Sequence, residues 1–380
     1  MITELVWLMS AFFVGELVLW SAFSAFLSSK PAKARPNGYP SVSVIIPAWN
    51  EGRVIREKLS NLHSMDYAGK IEAVVVDDRS DDDTVGAVNE AAREWPAVRL
   101  IRHTSRKGQA AAFNSGVAAA KNDFVLLSDA DSFLDRDALK NAVSSWKEGT
   151  AVIGRIRMIR GSRGIAARLN ELGWLFTALR QSAEGQMDST LPAFTPLTLM
   201  KRADWPVLDE NSVANDLNLA LKVRRQGLKV VSEPSATLEL ANPTAFKGIY
   251  RQKSRHVSGG VKELLKNAGK GFGNSWFGLL ILPRFIYHTI LKQFVALGLF
   301  VGCAIVLFIH PGQFLQIVLY IAAGITFANL LQAAALVRKW GYGKRVLALA
   351  AIRPLLQLSV MAVSFTSMFM RGGVLWGKVQ

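Results

Sequence analysis

Two aspartates one residue apart, Asp129-Ala130-Asp131, stand at the end of the apolar run FVLLSD. Carboxylates at that spacing on one loop can face the same divalent cation, which takes hard oxygen ligands and keeps room for phosphate oxygens. Asp131 could equally cap the helix that follows. A second acidic cluster, Asp77-Asp78-Arg79-Ser80, ends IEAVVVD and runs on to Asp81 and Thr84, or serves only as a turn. A third polar turn, Pro47-Ala48-Trp49-Asn50-Glu51, ends SVSVIIP and opens a helix. Much later, Asn215-Asp216 precedes a helical stretch, where both residue types are good caps. His63, His103, His288 and His310 are scattered and suggest no metal site. The phosphate-loop pattern G-x-x-x-x-G-K-[ST] is absent.

The elements around these turns alternate. Residues 41–47, 71–77, 98–102, 124–129 and 150–156 read as strands, with β-branched residues between turn formers. Residues 51–64, 82–95, 108–121 and 136–148 have helical spacing. Such alternation predicts βαβ units and a mostly parallel sheet. In open sheets of that kind the ligand lies outside the carboxyl ends of the strands, where the polar turns stand.

The chain has 380 residues, half of them hydrophobic, a formal net charge of +16 and a mean hydropathy of +0.21. A disordered chain is excluded, because such chains are poor in apolar residues. A disulfide scaffold is excluded by the single cysteine, Cys303. The apolar residues concentrate at the two ends, which points to a membrane protein with a water-soluble middle. Leu5 to Leu27 is long enough to cross a bilayer, and Lys30, Lys33 and Arg35 follow it. The positive-inside rule then expects an uncleaved anchor whose C-terminal end is cytosolic. Pro31 to Pro40 reads as a linker. Apolar runs at about 291–309, 313–337 and 346–370 are separated by HPGQ and RKWGYGKR. Arg353-Pro354 interrupts the last run, so part of it is interfacial or re-entrant on this reading. The segment 161–190 is amphipathic: a surface helix on the sheet, or a helix at the membrane face with Trp174 and Phe176 inward. After Glu263 no acidic residue occurs, whereas eleven Lys and Arg do, beside apolar stretches. Anionic lipid headgroups are their natural partner, and nucleic acid is not expected.

Taken in order, PAWNE, VVVDDRSDDDT, RKGQAAAFNSG and LLSDADS resemble the family 2 glycosyltransferases of GT-A fold, over roughly residues 41–260. VANDLNLALKVRRQGLKVV resembles that family's acidic base motif, and RQKSRH at 251–256 is similar to the Q-x-x-R-W motif of its membrane-integrated members. Those include synthases of cellulose, chitin, hyaluronan and poly-N-acetylglucosamine, and the ceramide glucosyltransferases. The resemblance implies an α/β GT-A domain flanked by transmembrane and interfacial helices. It implies that Pro47, Asn50, Glu51, Asp77 and Asp78 hold the nucleotide, with Lys107 and Gly108 along its pocket. Asp129 and Asp131 would bind the diphosphate through Mg2+ or Mn2+. Asp216 would be the general base, and Gln252, Arg255 and His256 would border the acceptor and diphosphate. Three acceptor-side positions depart from the pattern: Asn215 replaces an acidic residue, His256 a tryptophan, and Ala193-Phe194-Thr195-Pro196 a glycine-containing loop.

The expected organisation is a transmembrane helix at 1–28, a linker at 29–40, a cytosolic catalytic domain at 41–260, an interfacial segment at 261–290 and a membrane bundle at 291–380. The expected activity is inverting transfer of a sugar from a UDP-sugar to a glycan acceptor. Transfer of one sugar to a membrane lipid is the alternative, and a membrane-anchored nucleotide-binding non-enzyme is the alternative of another class.

Overall fold

Runs of Val and Ile build the centre of the sheet. In the computed structural model, residues 1–30, 38–160, 164–192, 195–212, 214–241, 259–267 and 272–354 are described. One compact unit comprises residues 30–161 and 185–242; the other comprises 1–29, 162–184 and 243–380.

In the first unit, β1 (Val42–Ala48), α2 (Ile55–His63), β2 (Ile71–Asp77), α3 (Thr84–Glu94), β3 (Val98–Arg102), α4 (Gln109–Ala119) and β4 (Phe124–Leu127) alternate as the sequence predicts; α1 (Ile2–Leu27) belongs to the second unit. Then come β5 (Ser132–Leu134), α5 (Ala138–Ser145), β6 (Thr150–Arg160), β7 (Thr198–Lys201), α7 (Asn215–Arg225) and β8 (Lys229–Ala241). The eight strands form one mixed sheet in the order β3-β2-β1-β4-β7-β6-β8-β5. β1 pairs in parallel with β2 and β4, and β2 with β3, so their carboxyl ends share one edge. Beyond β4 the sheet is mixed: β7 runs antiparallel to β4 and β6, while β6 and β8 are parallel. Val42, Val44, Ile45, Ile46, Val74, Val75 and Val76 have no exposed surface, because helices cover both faces of these strands.

In the second unit, α1 (Ile2–Leu27) and the helices Phe277–Ile309 and Pro311–Trp340 are each long and apolar enough to cross a membrane. Val6, Phe13 and Val14 of α1 pack with Leu299, Val306, Ile317 and Ile325. A Cβ on Gly302 would collide with Val6, and one on Gly324 with Val14, so both glycines permit the close approach typical of membrane helices. The segment 161–190 forms α6 (Ile165–Met187), whose Leu172, Leu175, Phe176 and Leu179 pack against Ala333, Leu336 and Trp340. Its apolar face thus meets another helix of this unit.

Candidate active site

Three loops meet at the carboxyl edge of β1, β2 and β4. The turn after β1 places Asn50 at φ +58°, a left-handed backbone that Asn tolerates better than most residues. Asn50 N–H donates to Ser80 Oγ at 3.0 Å, and Asp81 N–H donates back to Asn50 Oδ1 at 2.9 Å. Glu51 N–H reaches Thr84 Oγ1 at 2.9 Å and Gly52 N–H reaches Asp82 at 3.0 Å. The PAWNE turn and the DDRSDDDT turn are therefore one hydrogen-bonded body. Pro47, within β1, is half-buried, while Trp49 is exposed and carries the Arg106 guanidinium 3.4 Å from its ring centroid.

Asp77 and Asp78 are buried and bonded within the chain. Asp77 accepts the Ser80 N–H at 3.1 Å and Arg102 Nε at 3.2 Å. Asp78 accepts the backbone N–H of Lys107 at 2.8 Å and of Gly108 at 2.7 Å, and meets His103 Nδ1 at 2.8 Å. These two carboxylates shape the loops: Asp78 fixes the RKG segment, whose Gly108 has φ +94° at the start of α4. The Lys107 side chain is exposed.

Asp129 and Asp131 lie on the short loop between β4 and β5, both half-buried. Burial pushes the Asp129 carboxyl up to about 7, and Asp131, Glu51 and Asp216 reinforce the shift while Lys58 opposes it. Glu51 is likewise pushed up to about 7, by burial and then by Asp131 and Asp82. Asp131 is raised, chiefly by burial. Glu51, the Asp129–Asp131 pair and Asp216, four carboxylates from three segments, thus share a crowded negative charge that a cation would relieve. That excess of hard oxygen donors fits a divalent ion bound by Asp129 and Asp131 with phosphate oxygens. Among the described residues no group of three or more acidic, His or Cys side chains is arranged to hold a metal by itself. Protein ligands would then supply only part of the shell.

Asp216 is the second residue of α7 and half-buried. Asn215 beside it donates to Gln109 Oε1 at 3.1 Å, and Gln109 Nε2 donates to Asp129 Oδ1 at 3.0 Å. Gln252, Arg255 and His256 lie outside the described residues, as do Ala193 and Phe194.

Sequence reasoning missed three participants. Lys58 is fully buried behind the Asp129–Asp131 loop. Its signal was present: Ile55, Lys58, Leu59 and Leu62 form the buried stripe of α2, so a lysine occupies a core position. Gln109 and the Trp49–Arg106 stack had no such signal, because contact between distant loops leaves no periodicity.

A family model described as glycosyl transferase family 2 matches residues 43–200, and one described as glycosyl transferase family group 2 matches residues 124–376. The chain belongs to the family 2 glycosyltransferases. A probable glycosyltransferase YdaM of Bacillus subtilis (strain 168) is 27% identical over 60% of this chain. The poly-beta-1,6-N-acetyl-D-glucosamine synthase of Staphylococcus aureus (strain COL) is 25% identical over 63% of it. The matches span 57% and 60% of those relatives' lengths. In fold, the chain is similar to the mannosyltransferase PcManGT from Pyrobaculum calidifontis, solved in complex with GDP-Man and Mn2+. The TM-score is 0.69 at 23% identity, covering 94% of this chain and 99% of that one. The fold is GT-A.

Proposed function

We propose that this enzyme takes a sugar from a UDP-sugar and transfers it, with inversion, to a growing glycan at the carboxyl edge of β1, β2 and β4. The observation that carries the reading is the Asp129–Asp131 loop at the carboxyl edge of β4, joined through Gln109 to the start of α7, where Asp216 stands. Asn50, Glu51 and Pro47 line the nucleotide side, on a turn that Asp77 and Asp78 hold from within, with Lys107 and Gly108 alongside. Asp129 and Asp131 would hold Mg2+ or Mn2+, which supplies Lewis-acid stabilisation of the charge left on the departing diphosphate.

Asp216 takes the proton of the attacking hydroxyl as the new bond forms, because a hydroxyl is a weak nucleophile until a positioned carboxylate accepts its proton. It comes from α7, a different segment from the Asp129–Asp131 loop. A base of separate origin lets attack and departure occur on opposite faces of the sugar. One base and no nucleophilic carboxylate gives inversion. Gln252, Arg255 and His256 border the acceptor and diphosphate. The apolar helices anchor this chemistry in a bilayer, with the catalytic unit cytosolic and anionic headgroups against the basic flanks.

The test is nucleoside diphosphate release by the full chain in native lipid, across UDP-sugars with GDP-mannose as a control, with labelled product partitioned between solvent phases. UDP release with label in high-mass, water-soluble or insoluble glycan supports the proposal. Label in the organic phase at fixed mobility makes a lipid the acceptor. Absence of release with any donor and either metal overturns the reading.

A further inference from the structure

Lys58 has no exposed surface, in a helix face otherwise made of Ile55, Leu59 and Leu62. A core at that position is filled at lower cost by Met or Leu, since an ammonium taken from water must find acceptors for its protons. Lys58 finds them on the two residues that bracket the Asp129–Asp131 loop. Its Nζ donates to Ser128 Oγ at 2.7 Å and to the Ser132 carbonyl at 2.5 Å, with Ser132 Oγ at 3.4 Å. The network continues from both serines. Ser132 Oγ donates to the Asp129 carbonyl at 2.8 Å, closing the loop on itself. Ser128 Oγ donates to the carbonyl of Pro196 at 3.1 Å, in the Thr195–Leu197 turn that includes the last two residues of the acceptor-side segment.

Besides Lys58 and the serines, the loop is held by the Gln109 Nε2 hydrogen bond to Asp129 Oδ1 at 3.0 Å and by the buried Ala130. Its two half-buried carboxylates repel each other. Lys58 Nζ, fixed behind the loop and bonded to both of its ends, holds the two carboxylates side by side without occupying their oxygens. The hydroxyl of Ser128 then sets the spacing from that loop to the Thr195–Leu197 turn.

We propose that Lys58 is a positioning residue: its buried Nζ clamps both ends of the Asp129–Asp131 loop and, through Ser128, ties the diphosphate side of the site to the acceptor side. This inference rests on the reading of Asp129 and Asp131 as the metal–diphosphate site. It concerns a residue that touches neither donor nor acceptor.

The test uses the full chain in lipid nanodiscs, with Lys58→Met and Ser128→Ala beside the wild type. Three quantities are read: UDP affinity without metal, UDP affinity with Mn2+, and melting temperature. Residues that orient metal ligands typically change metal affinity by about 10–100-fold when replaced, so Lys58→Met is expected to weaken Mn2+-dependent UDP binding about tenfold or more. Metal-free UDP affinity should stay within about twofold, because the nucleotide turn is held by Asp77 and Asp78, a separate network whose loss would be needed to move it. Ser128→Ala should reproduce part of the loss with little change in melting temperature. Lys58→Met that melts lower yet binds UDP and Mn2+ like the wild type makes the residue a core filler and overturns the proposal. If Lys58→Met does not fold, Ser128→Ala with wild-type Mn2+-dependent binding overturns it. A wild type whose UDP binding ignores Mn2+ removes the diphosphate-site reading itself, and the proposal with it.

Discussion

Gln109 donates from Nε2 to Asp129 Oδ1 at 3.0 Å, and its other amide atom, Oε1, accepts Asn215 Nδ2 at 3.1 Å. One side chain at the start of α4 therefore joins the Asp129–Asp131 loop to the start of α7, where Asp216 follows directly. The arrangement spaces the groups proposed for leaving-group binding and for proton removal, which must act on opposite sides of one carbon.

Gln109→Ala is accordingly expected to cost more in turnover than in nucleotide binding. A hydrogen bond to a charged group contributes about 1.5–3 kcal/mol, so kcat/KM should fall by roughly tenfold or more. Metal-free UDP affinity should be unchanged. Steady-state kinetics beside equilibrium UDP binding checks this; equal losses in both would mean that Gln109 acts on the nucleotide instead.

The raised carboxyls of Asp129 and Glu51 give a pH dependence of defined sign. In the unfolded chain these groups ionise near their ordinary values of 3.8 and 4.5; in the folded, metal-free chain both sit near 7. Between about pH 4 and pH 7 the folded state therefore holds more protons than the unfolded state, and its stability falls as pH rises. Mn2+ binds the deprotonated form, so it should raise the melting temperature more at pH 7.5 than at pH 5.5. Thermal unfolding with and without Mn2+ across that range tests both statements. Asp129→Asn should lessen the metal-free decline, leaving the part due to Glu51, and abolish the Mn2+ effect; a Mn2+ shift that survives Asp129→Asn would place the ion elsewhere.

Asp216→Asn separates binding from chemistry. The amide keeps the size of the side chain but accepts no proton, and general base catalysis typically contributes 10²–10⁴-fold, so kcat should drop by about that factor. UDP-sugar binding in the presence of Mn2+ should remain within about threefold, as expected when an interaction made only in the transition state is lost. Single-turnover kinetics against donor titration reads the two apart. Retained transfer would move the base to another residue.

The parallel half of the sheet was legible because β1, β2 and β4 are largely apolar runs followed by clustered polar residues. Predicted strands at 41–47, 71–77 and 98–102 fall within a residue of those observed. β5 was not legible: Ser132–Leu134 is three residues long and exists through its antiparallel pairing with Leu238–Leu240. β7 and β8 carry Thr, Lys, Glu and Pro, a composition that takes its strand character from neighbours in the sheet. At the site, the turn residues announced themselves by type and position. The use of Asp78 did not, since its carboxylate is turned inward onto the backbone of Lys107 and Gly108, and sequence carries no mark of where a side chain points. Lys58 was readable in principle from its place in the apolar stripe of α2, but its partners, Ser128 and Ser132, become neighbours only when β4 is set beside β1.

The proposed cytosolic side of the catalytic residues rests on the flanks of the apolar helices. α1 is followed by Lys30, Lys33 and Arg35, and the helix Pro311–Trp340 ends in Arg338 and Lys339, with Lys344 and Arg345 just beyond. The turn between the two later apolar helices, His310-Pro311-Gly312-Gln313, has neither Lys nor Arg. On the proposed topology the positive-inside rule puts both basic flanks in the cytosol and that turn on the opposite side. Among the described residues, three crossings would satisfy this: out to in along α1, in to out along Phe277–Ile309, and back along Pro311–Trp340. The proposal then has Asp129, Asp131 and Asp216 on the cytosolic side. With Cys303 replaced by Ser, a membrane-impermeant maleimide should label Gln313→Cys on intact cells and Lys344→Cys only after permeabilisation. The reverse pattern would put Asp129, Asp131 and Asp216 on the far side of the membrane from their donor, and the cytosolic assignment would fail.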